Sequence, residues 1–312
     1  MKTAPSYDAA YREHAKHVWA IVYRMTGSAQ DADDIVQDTF VHAMARESLP
    51  EGNLRPWLAR IGINAGIDLL RQRRRRSYVG PWLPEPIDTE DDASPEASSA
   101  FEAGADAGYD LLESASFAFL LALEALAPRA RAVLLLRDVF DYSVREVAGV
   151  LDMSETHVKV THHRARRVME TYDRARCLPT REVQERTRDV LASLMASFVT
   201  RDTEAIERLL AESVRSVSDS DGKYIAARVP VVGRQKVSTF WTKTSQTGQR
   251  GGVDVAFRML NGLPAMVVSR SSRREGLPPH TVIMVQLDAR GVVREVQSIV
   301  ATAKLARLLA RG

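Results

Sequence analysis

Five arginines crowd the run RQRRRR at residues 71–76 of this chain. Just before it, Arg60, Asn64, Asp68, Arg71 and Arg75 recur at intervals of four, four, three and four, which on a helix makes one narrow polar stripe. The apolar residues between them, among them Leu58, Ile63, Ile67 and Leu70, cover most of the remaining circumference. One or two cations would satisfy the dipole at a helix C-terminus, an effect of only ~0.3–1 kcal/mol. Arg71, Arg73, Arg74, Arg75 and Arg76 together repel one another unless an anion neutralises them, and the chemistry that fits is phosphate binding. Phosphate contacts position a strand without reading it. Asn64 and Asp68 lie on the same stripe.

Two further clusters carry chemistry. In SAQDADDIVQDTF, four aspartates, Asp31, Asp33, Asp34 and Asp38, surround the apolar Ile35, Val36 and Phe40. In DYSVREVAGVLDMSETHVKVTHHRARRVME, Ser143 and Glu146 form a capping box and Ser154 caps the next helix. Ala148, Asp152 and Val158 fall where a helix-turn-helix wants a small residue, a turn residue and an apolar anchor. The second helix is expected to pack through Val158, Ala165 and Val168. That leaves Glu155, Thr156, Lys159, His162, His163, Arg164 and Arg167 in solvent. The adjacent histidines point about 100° apart with no ligand at metal spacing, so no metal is expected.

These clusters need elements to hold them. Asn53 can cap the helix bearing the stripe, with Pro56 in its first turn, and Gly27 and Ser28 end one helix and start the next. At 312 residues the chain is too long for one ordinary core. Residues 81–113 contain ten Asp and Glu and no Lys or Arg, which marks an acidic linker between helical modules at 1–80 and 114–176. Within it Trp82, Leu83 and Ile87 are framed by Pro81, Pro84 and Pro86, a stiff apolar peptide that should dock. From residue 177 the pattern turns to two helices and then alternating strands, with Asn261–Gly262 as a hairpin turn, so 177–312 reads as a small α+β domain. No apolar run reaches the roughly 20 residues of a membrane span. The one cysteine, Cys177, excludes an internal disulfide framework and leaves the cytoplasm as the expected compartment.

DADDIVQDTF, WLARIGINAGIDLLRQRRRR and LEALAPRARAVLLLRDVFDYSVREVAGVLDMSETHVKVTHHRARR, in that order, resemble the blocks of a bacterial sigma factor of the extracytoplasmic-function group. GPWLPEPI and the tail point to its subgroup with a fused C-terminal SnoaL-like domain, a relative of the NTF2-like cones. Asp219, Gly222 and Lys223 match that subgroup's Asp-Gly-Gly-Gly-Lys stretch, and Lys304 and Leu305 match the end of an Asn-Pro-Asp-Lys-Leu motif. The resemblance implies a multidomain fold: two all-α sigma modules, region 2 and region 4, plus an α+β cone. It implies a protein that is no enzyme, needs no cofactor or membrane, and binds core RNA polymerase and promoter DNA. Asp34, Ile35, Gln37, Asp38 and Phe40 would meet the β′ clamp helices. Arg60, Asn64, Asp68 and the arginines through Arg76 would meet the −10 element. The helix-turn-helix module would contact the β flap, while Ser154, Thr156, Lys159, His163, Arg164 and Arg167 meet the −35 element. Trp82, Leu83, Pro84, Asp219, Gly222, Lys223 and Lys304 would form regulatory contacts within the chain. An alternative is a helix-turn-helix regulator whose SnoaL-like domain senses a ligand or does acid/base chemistry with Asp219, Asp221 and Lys223.

Overall fold

Gly27, at φ +65°, ends the first helix, and the Ser28 side chain accepts from the Asp31 amide to start the second. The computed structural model describes residues 7–46, 49–50, 52–75, 78–90, 109–176, 178–248, 252–271 and 276–310; Arg76, Cys177 and residues 91–108 of the acidic stretch lie outside them. These residues form two compact units, one from 1–77 with 91–174 and the other from 78–90 with 175–312.

The first unit is all helix. Helices α1 (Tyr7–Thr26), α2 (Ala29–Met44) and α3 (Leu54–Arg75) precede α4 (Leu111–Ser114), α5 (Phe117–Leu123), α6 (Pro128–Asp138), α7 (Val144–Leu151) and α8 (Glu155–Asp173). Asn53 accepts from the Arg55 amide at the start of α3. Gly62 allows α1 and α3 to approach closely, because a Cβ there would stand 2.8 Å from Val18 Cγ1. Pro128 opens α6 at a position where its missing N–H costs nothing. Tyr109, Phe119 and Tyr172 meet edge to face and tie the start of this second helical block to α8.

The second unit lays α9 (Arg181–Thr200), α10 (Thr203–Leu209) and α11 (Arg234–Gly248) against a six-stranded sheet, and α12 (Thr302–Ala310) ends it. The strands are β1 (Leu210–Asp219), β2 (Val231–Val232), β3 (Val253–Leu260), β4 (Leu263–Arg270), β5 (His280–Leu287) and β6 (Val293–Ile299), in the order β2-β1-β6-β5-β4-β3. β1 runs parallel to β6 and the other pairs are antiparallel. Leu191, Leu194, Ile206, Val214, Val237, Trp241, Val285 and Val296 form the core. Asn261 and Gly262 both take positive φ, the two-residue turn expected between β3 and β4.

Residues 81–90 form no regular element, yet they are docked. Pro81 and Trp82 are half-buried, Leu83 to Ile87 are buried, and the stretch belongs to the C-terminal unit, held by hydrogen bonds from Ile87 to Asn261 and from Thr89 to Met259. At the other end of the expected linker, Asp110 caps α4 and Tyr109 is buried, so residues 109–113 fold with the second helical block. Apolar and turn-forming residues at both ends of the acidic stretch find partners that its charge alone concealed.

Candidate functional site

On α3 the polar stripe is exposed along its whole length: Arg60, Asn64, Asp68, Arg71 and Arg75 all face solvent. Asp68 accepts from Arg71 at 3.0 Å, one of the two pairings its spacing allows. Two of the terminal arginines behave otherwise. Arg73 is bound to the Asp31 carboxylate and the Thr26 carbonyl, and Arg74 donates to the Leu126 carbonyl at 3.0 Å. The expectation that only an external anion satisfies this run is therefore corrected for these two, because the end of α1 and the α5–α6 turn present local acceptors. Arg60, though exposed, donates to the Gly149 carbonyl at 3.3 Å.

On α2, Asp34, Gln37 and Asp38 are exposed above the buried Ile35 and Phe40, the amphipathic arrangement its sequence implied. In the helix-turn-helix, the Ser143–Glu146 capping box and the Ser154 cap both form. Asp152 takes the left-handed conformation at the turn, φ +52°, which a short polar side chain tolerates. Thr156, Lys159, His163, Arg164 and Arg167 project from α8 into solvent. Two expectations fail here. Val168 is 45% exposed, and Met169 and Tyr172 complete the buried face instead. His162 turns inward and bonds to Asp138 at 2.7 Å.

The two helical blocks are joined by cations that the sequence reading did not single out. Arg24, 1% exposed, gives Nε to Ser114 Oγ at 2.7 Å, Nη2 to the Leu111 carbonyl at 2.7 Å and Nη1 to the Ala20 carbonyl at 3.0 Å. Burial lowers its pKa to about 10, with Tyr23 and Asp110 opposing the shift. Arg131, also buried, reaches the Met25 carbonyl at 2.7 Å and Glu124 at 2.8 Å. His17 bonds to the Tyr142 hydroxyl at 2.8 Å and lies beside Arg55. The available signal was an arginine inside the apolar run WAIVYRM of α1.

In the C-terminal unit, Asp219 is fully buried and gathers four donors: the Leu83 amide at 2.8 Å, the Lys304 ammonium at 2.6 Å, the Tyr78 hydroxyl and the Asp221 amide. Lys304 also donates to the Leu83 carbonyl and stands 4.5 Å from the centre of the Trp82 ring. Pro84 is buried in the same segment, and Gly222, at φ +69°, has room only because Val79 meets no Cβ there. Lys223 does not join this group; its exposed side chain pairs with Asp221 at 3.8 Å. The acid/base set of Asp219, Asp221 and Lys223 is therefore not assembled, since Asp219 is committed to holding residues 78–83.

Residues 10–76 match the Sigma-70 region 2 family and residues 116–169 the Sigma-70 region 4 family. The ECF RNA polymerase sigma factor SigJ of Mycobacterium tuberculosis is 32% identical over 227 residues, 72% of this chain and 69% of that protein. SigG of the same organism is 32% identical over 253 residues, 72% of this chain and 65% of that protein. The crystal structure of the M. tuberculosis extracytoplasmic function sigma factor SigJ superposes with a TM-score of 0.71 at 27% identity, covering 95% of this chain and 96% of that one. The fold is that of a sigma-type protein, two all-α modules followed by a C-terminal unit of helices on a six-stranded sheet. The chain belongs to the extracytoplasmic-function (ECF) sigma factors of RNA polymerase.

Proposed function

We propose that the chain carries core RNA polymerase to specific promoters and helps separate the strands at the −10 element. The observation that carries this reading is the exposed stripe of α3, where an amide, a carboxylate and three guanidiniums share one helix face. Asn64 reads a base edge on the separated strand, Asp68 orients Arg71, and Arg71 and Arg75 hold phosphates, with Arg73 and Arg74 recruited once their local acceptors are released. Asp34, Gln37 and Asp38 dock the clamp helices of β′ over Ile35 and Phe40. Region 4 sits on the β flap and lays Thr156, Lys159, His163 and Arg164 in the −35 major groove; Ser154 and Arg167 take the backbone.

The packed helical unit is the resting form in this reading. Arg60, Arg73 and Arg74 spend donors on carbonyls and Asp31 that a bound strand would compete for, so polymerase selects a form with the modules apart. The C-terminal unit modulates that change by holding residues 78–90, the chain that leaves α3. The protein works in the cytoplasm and catalyses no reaction of its own. No helix among the described residues is long and apolar enough to cross a membrane.

Run-off transcription with core polymerase tests the reading. Asn64→Ala and Asp34→Lys in the full chain should each abolish promoter-specific transcripts, the first with core binding intact and the second by losing core binding. Transcription at the unsubstituted level from both would reject it.

A further inference from the structure

The C-terminal unit holds a cavity of about 450 Å³, within the range of small-molecule sites. Phe198 of α9, Phe240 and Trp241 of α11, and Val255, Met266 and Ile283 of the sheet give it apolar walls. A cavity this apolar and open to solvent is not needed for packing, since the core beside it is already filled by Leu191, Leu194 and Val296.

Its charge is one-sided. The ionisable residues of the lining are Arg270 and Lys243, and no Asp or Glu lines it among the described residues. Arg270, at the end of β4, uses Nη1 on the Pro278 carbonyl at 3.0 Å and Thr281 Oγ1 at 3.2 Å. Its Nε is buried without a hydrogen-bond partner. A buried guanidinium nitrogen left unpaired is costly, and a planar carboxylate is the group whose geometry a guanidinium fork matches. Desolvation lowers the Arg270 pKa, the direction expected of a cation awaiting a counter-ion.

We propose that this cavity binds a small organic acid with one carboxylate on an apolar body, the carboxylate on Arg270 and the body against Phe198, Phe240 and Trp241. The site depends only on the C-terminal unit and not on the promoter reading. It is also next to the segment-binding group: Ser218 lines the cavity, while Asp219, the following residue on β1, holds Leu83 and Lys304.

The test is calorimetry on the full-length protein with decanoate, decanol and decylammonium, three probes with one chain length and different head groups. Decanoate should bind at least tenfold more tightly than decanol, with decylammonium weakest. Arg270→Met should remove that preference while decanol still binds, and Arg270→Lys should restore part of it. Val268→Trp, which fills the cavity without touching the charge, should abolish binding of all three. No binding of decanoate, or equal affinity for the three probes, would overturn the proposal. Run-off transcription is not the readout, so failure here leaves the promoter reading standing.

Discussion

Lys304 stands 2.6 Å from Asp219, a carboxylate with no solvent exposure, and the same ammonium lies over the Trp82 ring. The two partners are not equivalent. Asp219 also accepts from the Leu83 amide and the Tyr78 hydroxyl, whereas Lys304 has a 16% exposed side chain. Removing one member of a buried pair costs roughly 3–5 kcal/mol because it strands the other. Asp219→Ala should therefore destabilise the C-terminal unit more than Lys304→Met, and only the former should expose Trp82 fully. Thermal unfolding with tryptophan fluorescence checks this, and an equal or reversed order would discredit the assignment.

Much of this was legible in the chain. The capping residues Ser28, Asn53, Ser143 and Ser154 could be placed because a hydroxyl or amide before an apolar run has few other roles. The stripe on α3 followed from spacing alone. Three features were not legible, each for a tertiary reason. β1 is buried along much of both faces because it runs parallel inside the sheet, so it shows no alternation. α11 is rich in Ser and Thr, residues that argue against a helix locally and are overridden by the burial of Val237 and Trp241. The partners of Arg73 and Arg74, and those of Arg24 outside its own helix, lie more than 40 residues away in sequence, beyond any local pattern.

The run after Leu70 should divide by role. Arg71 and Arg75 are exposed, and Arg73 is committed to Asp31 and Thr26. In holoenzyme, Arg71→Ala and Arg75→Ala should each reduce the salt dependence of binding to a single-stranded −10 oligonucleotide by about 0.7 in log–log slope, the increment for one phosphate contact. Neither should change the melting temperature. Arg73→Ala should instead lower stability by roughly 1 kcal/mol, since the pair it breaks is only partly screened from water. Fluorescence anisotropy across a salt series reads the slopes and melting curves separate the two classes; an Arg73→Ala protein as stable as the parent would refute the division.

Arg24 bridges the two helical blocks through acceptors that are all neutral. Lysine carries the same charge but cannot fork toward Ser114, Leu111 and Ala20 together. Arg24→Lys should cost about 2 kcal/mol or more in chemical denaturation, and Arg24→Met should cost at least as much by leaving the Leu111 carbonyl and Ser114 hydroxyl unpaired. A lysine variant as stable as the parent protein would show that charge, not the three-way fork, is what α1 needs at this position.

At the turn of the helix-turn-helix, Asp152 holds φ +52° and its backbone amide donates to the Ala148 carbonyl. The left-handed conformation costs a non-glycine residue roughly 1–2 kcal/mol, less for Asp than for most. Glycine removes that strain but gives the unfolded chain more freedom, a loss of about 0.5–1 kcal/mol. Asp152→Gly should thus stabilise the first unit by less than about 1 kcal/mol, and Asp152→Val should destabilise it clearly. Melting curves in which valine matches aspartate would contradict the turn geometry.

His17 supplies a pH dependence. Its pKa is lowered to about 3, first by burial and then by Arg55, His14 and Arg24, while Tyr142, its hydrogen-bond partner, is pushed up to about 12 by its own burial. In the unfolded chain the imidazole takes up a proton near pH 6.5. Between about pH 6.5 and 3 the unfolded state therefore holds the extra proton, so the contribution of the neutral ring is complete above that window and is lost as pH falls through it. The slope from this one group approaches 1.4 kcal/mol per pH unit at most. His17→Gln keeps a side-chain partner for the Tyr142 hydroxyl but cannot titrate. Urea unfolding of both proteins from pH 7 to 4 should give stability curves that converge as pH falls, because only the parent loses the imidazole contribution. Parallel curves would show that His17 titrates alike in the folded and unfolded states, and that burial at α1 does not hold the imidazole neutral.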